Sequence, residues 1–141
     1  MLIKQVFKEF LEEQKERLSE KTYKDYEEII ELFEDCLDGY AWNYIDDSSK
    51  AYEDAHKKDL TFIDIYEHTY IFENVGEFLD YFIPRKVNWG KEFVLKRCPR
   101  VIRKLLKWMQ DRGMLDKTNE DIKWACENQM WEDSLKDMGF S

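Results

Sequence analysis

The sequence predicts an all-α protein, a bundle of five or six helices, and three observations carry that prediction. Apolar residues recur at helical spacing along most of the chain. Only five Gly and two Pro are present, which argues against a turn-rich β-sandwich and against long linkers. Charged residues reach 38% beside 16% aromatics, a combination that marks amphipathic helices and not disorder. At 141 residues the chain suits a single helical domain over 1–141, able to bury about 65–70% of the surface it exposes when unfolded.

Residues 3–17 carry Ile3, Val6, Phe7, Phe10 and Leu11 at helical spacing with charges between them, and form the first helix. Leu18-Ser19-Glu20-Lys21-Thr22 interrupts it, with Ser19 as the N-cap of the next. The second helix runs to about Asp38 on an apolar face of Tyr23, Tyr26, Ile29, Ile30, Phe33, Cys36 and Leu37. Gly39 ends it by allowing a left-handed backbone, and Trp42, Tyr44 and Ile45 follow as an anchor.

Asp46-Asp47-Ser48-Ser49 reads as a loop that caps a short helix through His56. Leu60 to Tyr66 is rich in β-branched and aromatic residues, and periodicity leaves a short strand and a buried helical turn both open. A hairpin or extended piece around 60–72 is the matching exception to the all-helical reading. Asn74 caps a helix over Val75–Ile83, which Pro84 stops or follows. Lys86 to Gly90 forms a loop, and Phe93 to Arg112 is the most periodic segment, closed by Gly113. Pro99 either begins that helix or kinks it. A last helix carries Ile122, Cys126, Met130 and Leu135 within 117–138. No internal repeat is visible.

Cys36, Cys98 and Cys126 are odd in number and far apart, without Cys-x-x-Cys spacing. Neither a zinc site nor a disulfide framework is signalled. Buried thiols in a reducing compartment are expected. The first residues lack the apolar run of a signal peptide, and nothing approaches a membrane span, so the cytoplasm is the expected location and no membrane partner is expected.

The net charge of −9 is unevenly spread. Residues 85–112 hold ten basic and two acidic residues, a net +8, leaving −17 for the rest. At ~100° per residue, Lys96, Arg97, Arg100, Arg103, Lys104 and Lys107 share one-third of the helix circumference. Leu95, Cys98, Val101, Ile102, Leu105, Trp108 and Met109 occupy the other side. The apolar side must face a core, so the basic side faces outward and can track phosphates. A solvated face paired with the chain's own carboxylates, and a face that meets an acidic protein surface or a second copy, are the competing readings.

Leu18-Ser19-x-x-Thr22-x-x-x-Tyr26-x-x-x-Ile30-x-x-Phe33 resembles the entry to the N-terminal, SAM-like core-binding domain of tyrosine recombinases, the phage integrases. Arg100 to Met109, followed by Arg112-Gly113-Met114-Leu115, resembles that domain's last core helix. The resemblance implies a SAM-like core over 1–39 and 74–115 with an insertion over 40–73. It also implies DNA contacts from Lys21 and Lys24 and from Arg100, Arg103, Lys104 and Lys107. The family's chemistry needs a Tyr nucleophile with Arg and His residues. Here His56 and His68 are the only histidines and no His-x-x-Arg occurs. The resemblance thus implies a DNA-binding module without the enzyme, and two features depart from the pattern: the insertion and the acidic total.

Glu53-x-x-His56 and Asp64-x-x-x-His68 place carboxylate and imidazole on common helix faces, as a metal site would want. A bridged di-metal site needs paired Glu-x-x-His motifs, and one occurs. No phosphate-binding loop, dinucleotide fingerprint or nucleophile elbow is present. No catalytic residue, metal or cofactor is therefore expected. Among the aromatic residues, Trp89 beside Lys86 and Lys91 is the one whose loop position suits base stacking. The sequence reading is a non-catalytic nucleic-acid-binding module using Lys21, Lys24, Lys96, Arg97, Arg100, Arg103, Lys104 and Lys107. Its alternative is a protein-interaction or assembly module.

Overall fold

The computed structural model describes residues 1–86, 90 and 92–127. Expectations for Trp89, Lys91, Met130, Leu135 and the last helix beyond Glu127 lie outside the described residues. The architecture is all-α: the described residues contain helices and turns, with one isolated antiparallel bridge between Leu2 and Glu67. No helix among them is long and apolar enough to cross a membrane. The chain divides into two compact units, Met1–Ile71 and Phe72–Ser141.

In the first unit, α1 (Ile3–Arg17) buries Ile3, Val6, Phe7, Phe10 and Gln14 along one face. Its chain turns at the extended Leu18, and Ser19 caps α2 (Glu20–Tyr40) by accepting from the Thr22 amide at 3.3 Å. Phe7 meets Phe33 at 5.7 Å and Phe10 meets Tyr26 at 6.1 Å between ring centroids. The two helices therefore run antiparallel. Gly39 does not end α2 in a left-handed turn: it is helical, and the chain continues through Tyr40 into a 3-10 turn, Ala41–Tyr44. The right-handed path carries Trp42 inward, where its Nε1 donates to Asp38 Oδ1 at 3.2 Å and its ring packs against Phe62 and Tyr66.

Asp47, with φ 55°, precedes α3 (Ser48–Lys57). Asp59, with φ 57°, closes it, and the Leu60 amide reaches back to the Ala55 carbonyl at 2.9 Å. The open choice at Leu60–Tyr66 resolves as a helical turn, α4 (Phe62–Ile65). The Thr61 amide donates to Asp64 Oδ2 at 2.8 Å, and the Phe62 amide to Asp38 Oδ1 at 3.1 Å. One carboxylate oxygen thus joins the end of α2, the Trp42 indole and the start of α4. Tyr66 and Glu67 are extended, and a 3-10 turn follows at His68–Tyr70.

In the second unit, a 3-10 turn at Phe72–Asn74 leads into one unbroken helical stretch over 75–86. Its middle is a π-helix, π1 (Glu77–Phe82), and its end is α5 (Ile83–Lys86). Pro84 therefore neither stops nor follows the helix; it lies buried within it. The wide turn explains this. The Ile83 amide bonds the Phe78 carbonyl, five residues back. Proline lacks the donor that would meet the Asp80 carbonyl, and Arg85 Nη1 donates to that oxygen instead, at 3.3 Å.

The arrangement recurs around Pro99. Residues 92–111 are continuous helix, with π2 (Phe93–Arg97) before α6 (Cys98–Asp111). The Cys98 amide bonds the Phe93 carbonyl, and Pro99 follows, buried. Sequence inspection missed the repeat behind this. Glu77-Phe78-Leu79-x-x-x-x-Pro84-Arg85 recurs 15 residues later as Glu92-Phe93-Val94-x-x-x-x-Pro99-Arg100, a period shorter than that of helical solenoids. Gly113, with φ 72°, closes α6, and the Met114 amide bonds the Met109 carbonyl at 2.9 Å. Thr118 then caps α7 (Asn119–Cys126), accepting from the Asp121 amide at 3.1 Å.

Candidate nucleic-acid interface

The interface is built on π2 and α6. Cys98, Val101, Ile102, Leu105, Leu106, Trp108 and Met109 are all buried, so the polar side of the helix has to face out. Ile122 and Cys126 of α7 are buried too, and two polar contacts seam α7 to α6. Arg103 Nη1 lies 3.2 Å from Glu127 Oε1, and Lys107 Nζ donates to Asn119 Oδ1 at 2.7 Å. Lys107 Nζ also donates to Gln110 Oε1, whose amide bonds the Lys117 carbonyl at 2.7 Å.

The six cations of this face fall into two groups. Arg97 pairs with Glu92 at 2.7 Å, Arg103 pairs with Glu127, and Lys107 is held by neutral amides. The two arginine side chains remain 37% and 43% exposed, and pairs of that kind are worth about 0–1 kcal/mol. Lys96, Arg100 and Lys104 are exposed, and none has a carboxylate within ion-pair distance among the described residues. They follow one another at four-residue steps over ~12 Å of helix. No cation of the strip is turned inward.

Lys21 and Lys24 are exposed on the first turns of α2, in the other unit. The units differ in charge. Met1–Ile71 holds nine basic and 19 acidic residues, whereas Phe72–Ser141 holds 13 and 12. The strip therefore belongs to a nearly neutral unit and the acidic excess belongs to the other.

Sequence reading missed Trp124. It stands on α7 with 74% of its surface exposed. The signal was present: it lies two residues from both Ile122 and Cys126, on the far side of a helix whose inner face they define.

The remaining constellations serve the fold. His56 Nδ1 donates to the Tyr52 carbonyl at 3.0 Å and its ring stacks on Tyr52 at 3.8 Å. Asp64 and His68 do not share a helix face, because the extended Tyr66–Glu67 separates α4 from the turn bearing His68. Asp64 is occupied by Thr61 and by Lys4, 3.3 Å away, while His68 Nδ1 bonds the Met1 carbonyl at 3.0 Å. Among the described residues no group of three or more His, Cys, Asp or Glu is placed to hold a metal ion. All three cysteines are buried thiols, and burial pushes the Cys126 thiol up to about 12.

One carboxyl is unusual. Burial, reinforced by Glu31, Asp35 and Asp64, pushes Glu34 up to about 7 against the opposing charge of Lys4. Asp64 itself is held below the usual range, first by the Thr61 amide.

Comparison of the chain with family models, with curated proteins and with solved structures finds no match.

Proposed function

We propose that this chain is a non-catalytic nucleic-acid-binding module whose π2–α6 face contacts phosphates, acting in the reducing environment of the cytoplasm. The observation that carries the reading is the open row of Lys96, Arg100 and Lys104 on a helix whose opposite face is buried. Cations in such a row neutralise successive phosphates and release condensed counterions. Arg97, Arg103 and Lys107 flank the row with partners weak enough to exchange for phosphate. The resemblance to recombinase core-binding domains supports the same reading and adds Lys21 and Lys24 as contacts.

The test is a gel shift with a short duplex at two salt concentrations. With only the open cations engaged, log K falls against log salt with a slope of about −2.7, a loss of ~40-fold between 50 and 200 mM. Arg100→Glu with Lys104→Glu removes two of these contacts without touching the seam to α7. Binding should then be lost at physiological salt while helicity and melting stay unchanged. Unaltered retention of DNA by the doubly reversed protein overturns the reading.

A second reading rests on the acidic Met1–Ile71 unit. In it the strip meets carboxylates of another copy or of an acidic partner protein. Sedimentation separates the two, since a concentration-dependent dimer indifferent to DNA belongs to the second.

A further inference from the structure

We propose that the α6–α7 face takes single-stranded nucleic acid, with the Trp124 indole as the stacking platform for an unpaired base. This rests on the nucleic-acid reading and narrows its ligand class.

Exposure of one apolar residue is ordinary, but this one stands on the helix whose flank holds Arg103 and Lys107 of α6. Ile122 and Cys126 turn the inner face of α7 into the core, and Trp124 is about 200° round the helix from Ile122. Asn119 and Glu127 lie on the flank between them and hold Lys107 and Arg103 of α6. Trp124 is one turn before Glu127, so the two side chains are neighbours on the helix surface. The indole therefore stands just outside the seam on the α7 side. On the α6 side, Arg100 and Lys104 continue outward from Arg103 in the same way, being about 60° and 100° further round their helix. The outer face of the helix pair thus presents a ring on one side of the seam and open cations on the other.

That juxtaposition fits a chain with both a phosphate backbone and accessible base faces. A duplex satisfies only the cations, because its bases are stacked on one another. A single strand satisfies both, with its backbone along Lys96, Arg100 and Lys104 and a base against the ring. A polyanionic protein surface would use the cations and leave the indole without a planar partner.

The experiment measures affinity for a fluorescein-labelled 15-residue oligothymidylate and for a 15-base-pair duplex by anisotropy. Wild type is compared with Trp124→Ala, Trp124→Phe and the Arg100→Glu/Lys104→Glu double variant. Trp124 is exposed, so its replacement leaves the fold intact, which circular dichroism verifies. Trp124→Ala should weaken oligothymidylate binding about tenfold, the loss of one stacked base, and leave duplex binding within twofold. Trp124→Phe should recover most of the loss. If Trp124→Ala binds both probes like wild type, or weakens both equally, the stacking inference is overturned. Should charge reversal alone abolish both, the phosphate-binding reading survives without it. If charge reversal changes neither, the nucleic-acid reading itself has failed.

Discussion

Replacing Glu34 with Gln should stabilise the protein above neutral pH and leave it nearly unchanged at about pH 4, below the carboxyl's ordinary 4.5. Glu34 is half-buried on α2. Burial first, then Glu31 and Asp35 of its own helix and Asp64 of α4, raise its carboxyl from 4.5 to about 7, while Lys4 of α1 opposes them. A carboxyl raised in the folded state holds its proton more tightly there than in the unfolded chain. Between pH 4.5 and about 7 the native state therefore binds more protons, and stability falls as pH rises. The penalty is absent below that window and complete above it. At 1.36 kcal/mol per unit the shift bounds the penalty at ~3.4 kcal/mol. Solvent reaches the half-buried group and screens it, which brings the figure to about 1–2 kcal/mol. Asp64 works in the opposite sense: its lowered value contributes stability above 3.8 that is lost as pH falls. Its window lies below that of Glu34, and the difference between wild type and variant cancels it to first order. Urea unfolding of both proteins from about pH 4 to about pH 8 gives that difference directly. It should grow from near zero to ~1–2 kcal/mol in favour of Gln. A difference that is flat across the range, or that favours Glu at the alkaline end, refutes the burial argument.

Two glycines should respond with opposite signs in the same assay. Gly39 is helical with no atom within 4 Å of an added Cβ, so Gly39→Ala should stabilise by about 0.5–1 kcal/mol, whereas Gly113 at φ 72° should lose about 1–2 kcal/mol as Ala. Equal signs would contradict the assigned backbone. Pro84→Ala should change stability by under ~1 kcal/mol, not the ~3 kcal/mol expected for relieving an interior proline, because the wide turn and Arg85 already accommodate the missing donor; equilibrium unfolding measures it, and a gain near the larger figure would mean real strain. Cys126, buried and raised to about 12, should react with iodoacetamide at mildly alkaline pH only as fast as the domain opens, so its alkylation rate should rise with urea; labelling at the speed of a solvent-exposed thiol would show an accessible sulfur.

The fold was legible where local signals agree and obscure where a distant partner decides. Helix α1 reads correctly at both ends because its apolar period stops just where Ser19 offers an N-cap. Gly39 misled because glycine permits a left-handed stop without requiring one, and the demand for Trp42 in the core kept the chain right-handed. Asp59 gave no warning, since an aspartate with positive φ looks like any other loop aspartate in sequence. Leu60–Tyr66 resisted periodicity because its helical turn is started by Asp38, 24 residues before Phe62. Pro99 was legible as a first-turn residue of α6, whereas Pro84 read as a break because the rule assumes an α-register, and the π-turn that accommodates it leaves no residue-level mark beyond the short repeat itself.

The basic face of α6 divides the same way. That the basic side of α6 points outward follows from sequence, because burying Ile102, Leu105, Leu106 and Met109 leaves the opposite side no other place. Which cations stay open does not follow, because it depends on what α7 brings to the seam. Glu127 and Asn119 engage Arg103 and Lys107, and so pass the solvent-facing role to Arg100 and Lys104. The pairs with Glu92 and Glu127 leave the two arginines partly exposed. Lys96, Arg100 and Lys104 have no carboxylate within ion-pair distance among the described residues. The open row is thus set by the side chains that α7 brings to the seam, and it is the part of the face on which the proposed phosphate contacts depend.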